Sequence, residues 1–199
     1  MTLRTLTLLL LAFLAGLVVY WLAGGAPGSF AQEDGPLEIW SACLLFLAAA
    51  SSLIVMPVRF WPRYAFVFYG FFQLGLRELP FDPWIFDERV LTASFYRETG
   101  VSAAAVAGAL YAALALWSVF ALFRWGVPAS WRALRARSRW LVYFGLAGVS
   151  AVIAQGAEEL IGVIPMSPTV VGAMHVVEEG LEAVFALALF QALYVAWRR

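Results

Sequence analysis

The chain has 199 residues, of which 63% are hydrophobic, 16% aromatic and only 13% charged. Soluble domains average about 45–50% apolar and about 25% charged, so this composition excludes an ordinary water-soluble globule and indicates a membrane protein. The 13 basic residues, all arginine, balance 13 acidic ones. With no lysine, one histidine and one cysteine, the chain excludes Schiff-base chemistry, an intrachain disulfide, bis-histidine haem and a three-histidine zinc site.

A helix needs about 20 mainly apolar residues to cross a bilayer. Six stretches meet that length: 5–24, 38–57, 61–78, 101–123, 140–163 and 170–197. They are continuous runs rather than alternating patterns, which predicts an all-α six-helix bundle forming one membrane domain over residues 1–199. The first stretch also fits a signal peptide ending near Ala31, although its apolar core is longer than the usual 7–15 residues. GGAPGSFAQEDGP, the Pro57–Pro62 pair and IPMSPT punctuate the connections.

Arginine placement predicts both termini inside. In that topology Arg4, Arg59, Arg63, Arg124, Arg132, Arg135, Arg137, Arg139, Arg198 and Arg199 lie on the cytoplasmic side, with Arg77, Arg89 and Arg97 outside. The loop RWGVPASWRALRARSRW, residues 124–140, reads as a topology anchor whose arginines meet anionic lipid rather than nucleic acid.

Span three ends in QLGLRELPFDPW, with Gln73 and Arg77 one turn apart and Glu78 at the outer boundary; Pro80 and Pro83 turn the chain around Asp82. The segment 80–98 then interleaves bulky apolar residues with charge. This fits an interfacial helix capping the outer side as well as a solvated loop.

Every acidic residue falls on the outer side of this topology. The last span opens with HVVEEGLE. Relative to His175, Glu178 lies near −60°, Glu179 near +40° and Glu182 near −20° at about 100° per residue. All four therefore share one face. QGAEELIG repeats the arrangement on the preceding span with Gln155, Glu158 and Glu159, and a short turn makes the two helices antiparallel neighbours, so the faces can meet. Gly156, Gly162, Gly172 and Gly180 flank the acids and would allow close helix approach, although small residues are also common in membrane helices.

Carboxylates within a bilayer require protonation, pairing with arginine or a bound cation. Carboxylates with one imidazole suit manganese, iron or zinc, and Glu158, Glu159, His175, Glu178, Glu179 and Glu182 form the candidate ligand pool. Glu78, Glu159 and Glu182 are the candidates for moving protons, with Arg77, Asp82 and Gln155 as supporting groups. Ferritin-like dimetal sites use two Glu-x-x-His motifs, whereas here the order is His-x-x-Glu and occurs once. The signatures of prenyl-protein proteases, ceramidase-like hydrolases and rhomboid serine proteases are incomplete.

RELPFD after the third span, SFYR shortly afterwards and EEGLE in the last span together resemble a family of bacterial multi-spanning integral membrane proteins of unassigned function. Its members carry an R-E-[LMF]-x-[FH]-[DH] loop and a late E-E-x-x-E helix. The resemblance implies that Arg77, Glu78, Asp82, Glu178, Glu179 and Glu182 belong to one site in a bacterial cytoplasmic membrane. Three functions stay open: a metal-dependent enzyme acting on a lipid-soluble substrate, a proton- or cation-coupled transporter, and an accessory subunit with a structural acid cluster.

Overall fold

The computed structural model describes residues 35–79, 92–100 and 102–197, together with 4, 5, 7, 8, 11, 12, 15, 16 and 19 of the first segment. Among these residues the chain is helical and contains no strand. The helices are α1 (Pro36–Val55), α2 (Trp61–Arg77), α3 (Ala93–Thr99), α4 (Ala103–Ala121), α5 (Val127–Arg135), α6 (Trp140–Val163) and α7 (Pro168–Trp197). Among the described residues three stretches are long and apolar enough to cross a membrane: Pro36–Val55, Ala103–Arg135 and Trp140–Val163. The first expected span lies mostly outside the described residues, as does 80–91 of the expected interfacial segment, including Asp82.

Two compact units divide the chain. The first comprises Met1–Leu44 and Ser138–Arg199, the second Leu45–Arg137.

In the first unit, α6 and α7 form an antiparallel hairpin with extensive packing along their length. The sequence of the turn accounts for its tightness. Ile164 leaves the helix in an extended conformation, and Pro168 opens α7 without needing the backbone N–H it lacks. Ser167 carbonyl then accepts from the Val171 amide at 3.0 Å. The buried stripe of α6 is Ala147, Ser150, Ala154 and Ala157, spaced at helical period. Small side chains let a neighbouring backbone come close, so van der Waals contact replaces the missing hydrophobic drive inside a membrane.

Of the two readings open for the glycines, ordinary membrane-helix composition fits and a close-approach seam does not. A methyl group added at Gly156, Gly162, Gly172 or Gly180 would meet nothing within 4 Å. The close-packed positions are the alanines and Ser150, and the glycines stand on open faces.

In the second unit α2 packs on α4, and Tyr69 Oη donates to the Tyr111 carbonyl at 3.1 Å between them. Gln73 Nε2 in turn donates to the Tyr69 hydroxyl. The segment expected to be a basic loop is helical instead. A π-helical turn, Leu122–Gly126, joins α4 directly to α5, and the helix runs on to Arg135. Gly126 and Pro128 look like breakers in sequence. Pro128 is tolerated because it falls in the first turn after the π segment. Gly126 sits in a crowded place: a Cβ there would lie 2.8 Å from Leu122 Cδ1 and 3.0 Å from Phe66 Cζ, so those side chains would have to shift. The rod ends where Arg137 takes a left-handed φ of 49° and its amide donates to the Leu134 carbonyl at 3.0 Å.

Candidate functional site

The turn end of the α6–α7 hairpin holds the Gln155–Glu158 and His175–Glu178 pairs whose spacing the sequence showed. On α6, Gln155 Nε2 donates to Glu158 Oε2 at 2.7 Å, an i,i+3 contact on the exposed face. On α7, His175 Nδ1 and Glu178 Oε2 are 3.2 Å apart, again at i,i+3. A carboxylate accepts, so the imidazole proton on this bond belongs to Nδ1, which leaves Nε2 available to a ligand. The Glu178 side chain is 13% exposed and that of His175 45% exposed, so a mostly covered carboxylate orients a reachable ring.

One cavity connects the two helices. It has a volume of about 410 Å³ and is lined by Glu158, Glu159, Ile161, Gly162, Val163 and His175. Two carboxylates from α6 and the imidazole from α7 therefore border one opening, with Ile161 and Val163 as apolar wall. Its size lies within the roughly 300–1,000 Å³ of small-ligand sites.

The expectation that two acidic faces meet across the hairpin is only partly realised. Gln155, Glu158 and Glu159 stay exposed, because α6 turns its alanine stripe inward. Glu179 is buried, at 9% exposure, and lies one turn from the buried Ala183 and two from Leu187 and Ala186. Glu182 is half-buried on α7. Among the described residues no three His, Cys, Asp or Glu side chains are gathered closely enough to hold a metal ion in common. Arg77 and Glu78 belong to the second unit, where Arg77 is exposed and Glu78 buried, and Asp82 is outside the described residues.

Gln191 is a polar residue whose role the sequence left open. It is 5% exposed, and its Nε2 donates to Thr7 Oγ1 at 2.8 Å. Around it Leu187, Ala188, Leu189, Phe190 and Ala192 are buried, so this part of α7 is a packed apolar stretch in which Gln191 reaches Thr7. Only the 184-residue separation hid the pair from a sequence reading.

The chain matches no family model, and neither the curated proteins nor the solved structures contain a match to it.

Proposed function

We propose that the chain is a six-span bacterial inner-membrane protein, with both termini cytoplasmic, that binds a divalent cation at the outer end of its last hairpin. The observation that carries this reading is the cavity bordered by Glu158, Glu159 and His175, with His175 held by Glu178. Two carboxylates and an imidazole are a donor set for manganese, iron or zinc. Water ligands on a cation held there are the species a metal activates toward a substrate. The apolar wall of Ile161 and Val163 suits a lipid-soluble substrate entering from the outer leaflet. The packed C-terminal half of α7 supports a one-sided site over a route through the membrane.

Metal analysis of protein purified without added metal tests the reading. Stoichiometric manganese, iron or zinc, lost in Glu158→Gln/Glu159→Gln, is the expected result. No retained metal, together with unchanged stability in chelator, would sink it.

A second reading is favoured by the His175–Glu178 bond itself. The oriented imidazole acts as an acid–base group without any metal, exchanging protons with the cavity. If this pair and Glu182 carry protons across the membrane, flux into liposomes is lost in Glu182→Gln. Undiminished flux in that variant removes the transport form of the idea.

A further inference from the structure

A second cavity lies in the other unit, far in sequence from the acid pairs. It has a volume of about 290 Å³ and is lined by Arg63, Tyr64, Arg124, Trp125, Pro128 and Arg132. Three arginines, one each from α2, the π turn and α5, thus border one small space. None of the three pairs with a carboxylate among the described residues. All three arginines are exposed, so their charges are accessible from solvent and together make a field that favours an anion in the space.

The surrounding geometry is built rather than incidental. Arg63 occupies the third position of α2, whose N-terminal backbone amides add to the positive field. Arg132 follows Pro128 by four residues, which places both on one face of α5. The π turn carries Arg124 and Trp125, and the wider π geometry sets the Trp125 ring edge-on to Phe120, five residues earlier, at 6.3 Å. Gly126 brings this turn against Phe66 of α2, next to Tyr64, in a contact that a larger residue would obstruct. Tyr64 is braced by Phe60 and Phe66, with centroids 6.3 and 6.2 Å away.

We propose that Arg63, Arg124 and Arg132 form a binding site for a phosphate group, with Tyr64 and Trp125 as its aromatic walls. Guanidinium forks match phosphate oxygens, and each can supply paired charge-assisted hydrogen bonds. The volume sits at the lower bound of small-ligand pockets, which suits a single phosphate or a phosphodiester headgroup rather than a large cofactor. The three arginines lie on the side that the arginine asymmetry assigns to the cytoplasm, where an anionic phospholipid headgroup and free phosphate are both available.

The test uses the purified full-length protein in two arms. In detergent it is titrated with inorganic phosphate, with thermal unfolding as the readout and chloride at equal ionic strength as the reference. In nanodiscs containing phosphatidylglycerol or phosphatidylcholine, native mass spectrometry counts the lipid retained after release. Saturable stabilisation by inorganic phosphate assigns a free phosphate site, and selective retention of phosphatidylglycerol assigns a headgroup site; either supports the proposal. Arg63→Gln/Arg132→Gln lowers the response by about tenfold or more, the scale of a lost charge-assisted contact, whereas Arg59→Gln outside the cavity leaves it unchanged. No response to either ligand in the unsubstituted protein overturns the proposal, as does an equal loss in Arg59→Gln. The outcome is separate from the cation reading, since none of these residues lines the hairpin cavity.

Discussion

At the scale of single residues, the side chains that carry information are polar groups placed where composition leaves few alternatives. Gln191 is buried and bonded to Thr7, so Gln191→Leu removes that bond. Measured side-chain hydrogen bonds inside membrane proteins average about 0.6 kcal/mol and reach about 1.7, which sets the expected loss at about 1 kcal/mol. A double-mutant cycle with Thr7→Val, followed by unfolding in detergent, isolates the coupling; additive effects would show that the bond contributes nothing. Arg137 is the opposite case. Its φ of 49° costs an L-residue about 1 kcal/mol that glycine avoids, so Arg137→Gly raises stability by about that amount. A lower unfolding midpoint in Arg137→Gly would contradict the strain argument.

At the scale of elements, the sequence was most legible where punctuation and physics agree. The expected boundaries 140–163 are those of α6, and IPMSPT is the turn before α7, because proline and an extended Ile164 leave no helical alternative. Reading failed at residues 124–140, where Gly126 and Pro128 resemble breakers; a π turn absorbs both, and the helix continues. It failed again in choosing which face of α6 packs. A helix that is apolar nearly all round offers no stripe to distinguish buried from exposed positions, so the sequence left glycine as one candidate for close approach and did not point to the alanines that hold it. The two readings give opposite mutational results. Ala154→Leu overfills a position that is 2% exposed and costs about 1–3 kcal/mol. Gly156→Ala meets open space and is neutral or stabilising by up to about 1 kcal/mol from helix propensity. Thermal unfolding of the two variants side by side decides between them, and destabilisation by Gly156→Ala alone would restore the glycine seam.

At the scale of the whole molecule, composition made the membrane class plain, and the i,i+3 spacing made the pairs His175–Glu178 and Gln155–Glu158 readable before any coordinates. The grouping of Arg63 with Arg124 and Arg132 was not readable, because it depends on how α2 packs against a rod whose continuity the sequence disguised. The proposed six-span topology makes one demand: the hairpin turn at 164–167 faces outward and the α5–α6 connection faces the cytoplasm. At 1.5 Å per residue α6 is about 36 Å long, enough to cross a hydrocarbon core of about 30 Å and put its two ends on opposite sides. With Cys43 as the single native thiol, a cysteine-free background needs one substitution, Cys43→Ala. In that background a membrane-impermeant maleimide labels Ser167→Cys in intact cells, and labels Ala136→Cys only after the membrane is opened; both native positions are exposed. The reverse pattern would invert the proposed topology and turn the carboxylate cavity inward. Labelling of both sites in intact cells would mean that α6 does not cross at all, and the one-sided argument for the acid pairs would fall with it.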